Sequence, residues 1–159
     1  MMLNKDYRDM LSCLSTEGVE FLLVGAYALS VHGYPRATMD IDIWVKPSLE
    51  NADAVLRALR RFGAPVAALE VDTFARKSTV FQIGVPPRRI DIITGATGLE
   101  FDAAFSGSVA VDIDGIPVRV LSVQDLMVNK RAAGRTKDLA DVEALEGMLR
   151  KQAGRNRSR

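Results

Sequence analysis

Two carboxylates stand inside a stretch of the sequence that is otherwise apolar. They belong to Asp40 and Asp42, and the residues between and after them are Ile41, Ile43, Trp44 and Val45. Side chains two positions apart on a β-strand point to the same face, so both carboxylates would project together while Ile41 and Ile43 face a core. Parallel negative charges repel unless a cation lies between them, and Mg²⁺ prefers carboxylate oxygens as ligands. The pair therefore indicates a metal site, with a half-exposed strand whose polar face meets water as the alternative.

A third aspartate occupies the same kind of position in a second apolar run. Asp91 lies within residues 88–93, and the isoleucines on either side of it share the opposite face of a predicted strand. If this strand pairs beside the one that carries Asp40, three carboxylates meet on one surface. Three carboxylates are the minimum for a two-metal site of phosphoryl or nucleotidyl transfer, in which two ions hold the attacking and leaving oxygens. The alternative is that Asp91 pairs with Arg88 or Arg89.

A glycine upstream of the aspartates adds a feature suited to phosphate. Gly25 ends the apolar run 21–24 and is followed at once by the helical pattern of residues 26–31. The start of a helix presents unpaired backbone N–H groups, and a residue without a side chain lets a phosphate approach them closely. The alternative is an ordinary turn glycine. Arg36 lies in the loop that leads to Asp40, where it would contact phosphate or pair with an aspartate.

The elements that must position these residues follow from the spacing of apolar and turn-forming residues. Helices are predicted at 4–16, 26–31, 48–62, 122–133 and 136–149, with Ser48, Ser122 and Thr136 at their starts, and strands at 21–24, 40–45, 80–85, 88–93, 109–113 and 116–120. This order predicts an α/β (α+β) fold, a mixed β-sheet with helices packed on it and two C-terminal helices. Residues 1–149 are expected to form a single domain, and residues 150–159 a basic, disordered tail.

Composition narrows the functional classes. Of 159 residues, 48% are hydrophobic and 26% are charged, as in an ordinary globular protein. Basic residues number 21 and acidic residues 20, so the net charge gives no general attraction to nucleic acid or to a membrane. One cysteine and one histidine argue against a disulfide framework and against a zinc site. The longest uncharged apolar-rich stretch, 21–35, is shorter than the ~20 residues of a membrane span, and no signal peptide is seen, so we expect a cytoplasmic protein.

The glycine and the three aspartates together resemble a known superfamily. Gly25, the Asp40-Ile41-Asp42 strand and a distant third carboxylate, Asp91, resemble the signature of the DNA polymerase β-type nucleotidyltransferases. Within it, GAYALSVHGYPRATMDID (25–42) is similar to small bacterial nucleotidyltransferases of the minimal and abortive-infection type, and NKRAAGRTKDLAD (129–141) resembles their C-terminal helices. Those proteins usually have Gly-Gly or Gly-Ser where this chain has Gly25-Ala26. A serine hydroxyl contact to phosphate is therefore lost, while the backbone N–H remains.

The resemblance implies a role for each residue of the motif. Asp40 and Asp42 would bind two Mg²⁺ ions, and Asp91 would complete the shell of one metal and orient or deprotonate an acceptor hydroxyl. The backbone at Gly25 and Ala26 would hold the triphosphate of a nucleotide.

Charged residues outside the motif are assigned more loosely. Lys130 would reach the β- or γ-phosphate and stabilise the leaving pyrophosphate, or it would be a solvated lysine on an amphipathic helix. Asp138 and Asp141 are expected to serve the dipole of the last helix and to pair with Arg135 or Lys137, outside the catalytic set.

The function implied is Mg²⁺-dependent transfer of a nucleoside monophosphate from an NTP, with ATP as the default donor, to a hydroxyl. The acceptor is open between a partner protein, an RNA end and a small molecule, and the analogy extends to toxin–antitoxin pairs. Because no second substrate domain is evident, a partner chain or a homodimer is expected to complete the acceptor site. Two other functions stay open: a catalytically degenerate binding module that neutralises or scaffolds a partner, which Ala26 favours, and a metal-dependent phosphohydrolase.

Overall fold

The computed structural model describes residues 3–158, which form a six-stranded mixed sheet with helices packed on it. The strands are β1 (Phe21–Val24), β2 (Asp40–Val45), β3 (Val80–Ile83), β4 (Arg89–Ile93), β5 (Val109–Ile113) and β6 (Ile116–Val120). The helices are α1 (Lys5–Thr16), α2 (Gly25–Val31), α3 (Leu49–Phe62), α4 (Phe101–Ser106), α5 (Val123–Ala133) and α6 (Thr136–Arg157), and a 3₁₀ turn spans Thr73–Ala75. The predicted fold class is confirmed. Within residues 3–158, none of the helices combines the length and apolar character that a membrane crossing requires.

The sheet brings distant parts of the chain side by side. Its strand order is β3-β4-β2-β1-β6-β5. The central strand β1 pairs antiparallel with β2 and parallel with β6, and β2 pairs parallel with β4, with Asp42 opposite Asp91. The hairpins β3–β4 and β5–β6 form the two edges. The pairing of β2 with β4 is the arrangement that the three-carboxylate prediction required, and it is confirmed.

The two strands that carry the aspartates bury their other face. Ile41 and Ile43 of β2 and Ile92 of β4 have no exposed surface and belong to one core that also includes apolar residues of α1 and α3. Asp40 and Asp42 are half-buried on the opposite face. Because side chains alternate between the two faces of the strand, the carboxylates lie at the edge of the core, where solvent reaches them only in part.

Helix starts agree with the predicted caps at two positions and differ at a third. The hydroxyls of Ser48 and Ser122 accept backbone N–H bonds at the starts of α3 and α5. The last helix begins differently, because Thr136 is its first residue and the preceding Arg135 makes no side-chain capping bond.

Three parts of the structure were not predicted. Helix α4 and the 3₁₀ turn are too short to show a helical period in the sequence. The last helix continues past Leu149 to Arg157, so the prediction of a disordered tail is wrong for residues 150–157. Lysine, glutamine, alanine and arginine, which favour helix, dominate this segment, and a single glycine at Gly154 does not end the helix.

Candidate active site

Three carboxylates converge on one face of the sheet. Asp42 and Asp91 are direct partners across the parallel pair of β2 and β4, and Asp40 lies two residues before Asp42 on the same face. One carboxylate oxygen from each lies within 4.8 Å of the other two. Asp91 is the most enclosed of the three, at 6% exposed. A cluster of this kind offers the hard oxygen ligands that Mg²⁺ prefers, so these residues fit such an ion.

Arg89 neutralises part of this cluster. Its Nη2 lies 2.7 Å from Asp40 Oδ2, and its Nε lies 3.0 Å from Asp91 Oδ1. The two interpretations of Asp91 left open by the sequence are therefore both true, since Asp91 faces the other aspartates and also pairs with an arginine. The bridge to Asp40 was not predicted, because it depends on Arg89 being the cross-strand partner of Asp40.

Asp42 is the carboxylate without a basic partner. Within residues 3–158 no basic side chain lies at ion-pair distance from it, whereas Asp40 and Asp91 share Arg89. Burial, followed by the negative charges of Asp40 and Asp91, raises the pKa of Asp42 to about 7. A divalent cation would relieve this repulsion. The uncompensated charge is a second observation, besides the geometry, that fits a metal ion here.

Gly25 lies directly against this unpaired carboxylate. Its φ is 69°, in the left-handed region that favours glycine, and a Cβ built on it would lie 2.4 Å from Asp42 Oδ2. Both the backbone conformation and the space therefore require glycine. The sequence predicts that a phosphate approaches the backbone at Gly25, and that role stays a prediction; in this structure the group lying against Gly25 is the Asp42 carboxylate.

One cavity joins the predicted metal ligands to the predicted nucleotide-binding residues. Its volume is about 460 Å³, and its lining includes Asp40, Asp42, Arg89, Gly25, Ala26, Arg36 and Lys130. Asp91 does not line it, although its carboxylate bonds to Arg89, which does. The structure thus gathers the candidate residues around a single space, although they come from β2, β4, α2, α5 and the loop after α2.

The two basic candidates share an acidic partner in this cavity. Lys130 Nζ lies 2.8 Å from Asp141 Oδ2 and 3.7 Å from Asp138 Oδ1, and Arg36 also forms an ion pair with Asp141. Lys130 is therefore not a solvated lysine, since its side chain is only 15% exposed. Arg36 was predicted to contact phosphate or to pair with an aspartate, and in this structure it pairs with an aspartate.

Asp141 corrects one expectation from the sequence. Asp138 pairs with Arg135 at 2.6 Å, as expected, but Asp141 reaches Arg36 and Lys130 instead of a neighbour on its own helix. The reason is that Asp141 lies on the buried side of α6, at 4% exposed, where α6 packs against α5. The signal was present in the sequence, because both aspartates fall in an apolar stripe that continues through Val142 and Leu145.

The comparisons with known proteins agree with this geometry. The chain superimposes on the Thermotoga maritima protein TM1012, inferred to be a nucleotidyltransferase, with a TM-score of 0.58, 19% identity and coverage of 94% of this chain and 96% of that one. It also superimposes on the antibiotic-resistance factor ANT(2'')-Ia with a TM-score of 0.50, 17% identity and coverage of 96% and 94%. At these identities the likeness shows the fold. No curated protein matches the sequence. The model of a family described as a nucleotidyltransferase of unknown function (DUF6036) matches residues 2–152, and the chain therefore belongs to that nucleotidyltransferase family.

Proposed function

We propose that this protein is a Mg²⁺-dependent nucleotidyltransferase that moves a nucleoside monophosphate from an NTP to a hydroxyl group. The observation that carries the proposal is the cluster of Asp40, Asp42 and Asp91, whose oxygens lie within 4.8 Å of one another. Two of these aspartates border a cavity that the predicted nucleotide-binding residues Arg36 and Lys130 also border. Metal-binding carboxylates and phosphate-binding cations in one space are what nucleotidyl transfer needs.

Each residue group has a defined task in this proposal. Bound Mg²⁺ would polarise the α-phosphate and neutralise charge that develops during transfer. Asp40 and Asp42 hold the ion, and Arg89 keeps Asp91 in a fixed orientation beside them. Asp91 does not border the cavity and would act by completing the shell of the ion.

The basic residues exchange one anionic partner for another. Arg36 and Lys130 are paired with Asp141 in the structure. A triphosphate in the cavity presents several negative oxygens to the same two side chains, and charge-assisted bonds to phosphate are strong. In the bound state Asp141 keeps one hydrogen bond from Lys130 and so orients it. The phosphate oxygens accept the remaining N–H bonds of Lys130.

Donor and acceptor are proposed at the level of chemical class. ATP is the default donor, and a hydroxyl on a partner protein, an RNA end or a small molecule is the acceptor. A partner chain or second copy of this protein completes the acceptor site, which suits a toxin–antitoxin pair in the cytoplasm. These finer assignments rest on the resemblance of the Gly25-to-Asp42 motif to small bacterial nucleotidyltransferases.

A thermal-shift titration with ATP, GTP, CTP and UTP, each with and without Mg²⁺, tests the proposal. A nucleotide at a hundredfold excess over its Kd stabilises the folded state by about 2.7 kcal/mol. We expect this shift to need Mg²⁺ and to vanish in Asp40→Asn and Asp42→Asn. Asp112→Asn, which keeps the exposed turn bond to the Gly115 N–H, is the matched control and should retain the shift. The absence of a shift with every nucleotide would reject the proposal for the isolated chain.

One specific observation favours a second function, that of a binding module without catalysis. The charged groups of the site largely satisfy one another, since Arg89 bridges two aspartates and Asp141 pairs with Arg36 and Lys130. A module of this kind would bind its partner equally well after Asp42→Asn. Transfer of label from α-³²P-labelled NTP, lost in Asp42→Asn, separates the two functions in favour of the enzyme.

A further inference from the structure

A second cavity lies on the same two strands, beyond the cluster of aspartates. Its volume is about 570 Å³, within the range of small-molecule sites. Its walls come from the end of β2, the segment 77–80, residues 94–99 after β4 and the start of α4. It shares no lining residue with the cavity at the aspartates. The cross-strand partners Trp44 and Ile93 separate the two, because Trp44 lines the second cavity and Ile93 lines the first.

The indole of Trp44 carries a buried hydrogen-bond donor with no acceptor. Trp44 is 1% exposed, and its Nε1 is the one buried side-chain nitrogen or oxygen in residues 3–158 that has no hydrogen-bond partner. Buried donors in folded proteins nearly always have a partner, and a buried tryptophan usually finds one for its N–H. One of the residues that line the second cavity therefore carries a hydrogen-bond donor whose bond is unmade.

The walls of this cavity are held by specific contacts. Thr94 is 1% exposed and its hydroxyl bonds to the Arg76 carbonyl and accepts the Thr79 N–H at 2.9 Å, which ties the segment before β3 to the end of β4. At Gly95 a Cβ would lie 2.6 Å from the Lys77 carbonyl oxygen, so these two loops are in close backbone contact. The shape of the cavity is thus built by the fold.

Its lining indicates the chemistry of a ligand. At the rim, Lys46 pairs with Asp102 at 3.2 Å and Lys77 with Glu100 at 3.9 Å, so positive and negative charges balance. Inside, Phe101 packs edge-on against the Trp44 indole, with ring centroids 5.3 Å apart. A balanced rim and an aromatic interior favour an uncharged molecule with an apolar body.

We propose that this cavity binds an uncharged small molecule that has a flat apolar body and one carbonyl-type acceptor, which takes the N–H of Trp44. The indole nitrogen is covered in the structure, so binding includes a shift of the side chains that cover it. The site is separate from the one proposed for nucleotidyl transfer, and a failure of either proposal leaves the other unaffected.

Two matched fluorinated probes test this site by ¹⁹F NMR: 4-fluoroacetophenone, which has a carbonyl, and 4-fluorotoluene, which has none. We expect 4-fluoroacetophenone to bind about fivefold more tightly, the worth of one neutral hydrogen bond. Trp44→Phe keeps an aromatic ring and removes the N–H, so the preference should disappear in that variant. Trp44 is the only tryptophan of the chain, so its single indole signal in ¹H–¹⁵N spectra should move with the carbonyl probe.

Ser78→Phe is the companion variant, since Ser78 is exposed at the cavity mouth and its replacement leaves the core untouched. It should abolish binding of both probes while the thermal unfolding temperature stays as in the natural chain. Equal affinity for the two probes, an unchanged preference in Trp44→Phe, or no binding of 4-fluoroacetophenone up to about 10 mM would overturn the proposal.

Discussion

At the scale of single residues, the aspartate cluster has two ways of limiting its own repulsion. Arg89 compensates Asp40 and Asp91 through direct bonds. Asp42 has no such partner, and burial together with its acidic neighbours raises its pKa to about 7. One carboxylate is thus left to be neutralised by a proton or by a cation from solution. A proton and a bound metal ion would compete for this carboxylate, which would make metal binding sensitive to pH near neutrality.

Asp42→Asn should stabilise the metal-free protein at pH 8. Because the pKa of Asp42 is raised from 3.8 to about 7 in the folded state, stability falls as pH rises between these values, and the full loss is present above pH 7. Removing the charge should therefore raise the free energy of unfolding by up to about 4 kcal/mol at pH 8 and by much less at pH 4. Urea denaturation in EDTA measures this difference. Asp91→Asn, which loses bonds to Arg89, should instead destabilise the protein, and a stabilising effect there would contradict this account.

Arg89→Gln should increase the affinity of the cluster for Mn²⁺. The guanidinium occupies oxygens of Asp40 and Asp91 that a divalent ion would use, and its positive charge repels that ion. We expect about tenfold tighter Mn²⁺ binding at pH 8, measured by electron paramagnetic resonance. Arg88→Gln is the matched control, because Arg88 is exposed and should leave the affinity unchanged. Unchanged or weaker Mn²⁺ binding in Arg89→Gln would show that Arg89 supports the ion.

At the scale of elements, α5 and α6 work as a pair that presents Lys130 to the cavity. Lys130 comes from α5, and the two carboxylates that hold it, Asp138 and Asp141, come from the first turns of α6. Arg36, from the loop after α2, joins the same network through Asp141. The position of a basic side chain opposite the aspartate cluster thus depends on the packing of one helix against another.

Lys130→Met should weaken ATP binding by about tenfold or more without changing Mn²⁺ binding, because a buried charge-assisted contact to phosphate is lost while the aspartate cluster is intact. Arg131→Met is the matched control from the next position of α5, where the side chain pairs with Glu146 at the surface. Isothermal titration calorimetry with ATP and Mg²⁺ measures both variants. Equal losses in the two would show that general positive charge, and not the position of Lys130, attracts the nucleotide.

The sequence predicted those features of the fold that depend on residues close together in the chain. Strands β2 and β4 could be predicted because single aspartates interrupt apolar runs, and the caps at Ser48 and Ser122 because the hydroxyl bonds to a backbone N–H three residues on. The register that sets Asp42 opposite Asp91 could not be predicted. Parallel strands that are far apart in sequence have no turn between them that would fix their alignment.

Two further features were hidden from local patterns for different reasons. Helix α4 buries only Phe101 and Ala104, too few apolar residues to show a period. The partners of Asp141 were hidden because the stripe on α6 marks a buried side of the helix but does not show that Arg36 lies there, which depends on the tertiary structure.

At the scale of the whole molecule, the fold divides into a body and an exposed end of α6. Leu145 is fully buried, whereas residues 150–158 are all exposed. Most helical stability in proteins comes from a packed apolar face, and this end of α6 has none. The predicted domain of residues 1–149 should therefore hold the interactions that stabilise the fold.

Removing residues 150–159 should change the free energy of unfolding by no more than about 0.5 kcal/mol, because exposed residues contribute little. The loss should appear as reduced helical signal in far-ultraviolet circular dichroism with an unchanged midpoint in urea. A shorter chain ending at residue 144 is the contrasting variant, since it loses the buried Leu145 and should be destabilised by about 2–5 kcal/mol. A large destabilisation on removal of 150–159 alone would place part of the stabilising structure in the last turns of α6.

The central position of β1 has a consequence for the order of folding. Its antiparallel neighbour β2 follows directly after α2 and a loop. Its parallel neighbour β6, by contrast, places Leu23 beside Val120, and β2 pairs with β4, which comes much later in the chain. Contacts between such distant residues form slowly, because a long loop must close before they are made. During synthesis, Asp91, Lys130 and Asp141 emerge in that order after Asp42. The nucleotide binding that we propose would therefore arise only when nearly the whole chain has folded, and a stalled chain would lack it.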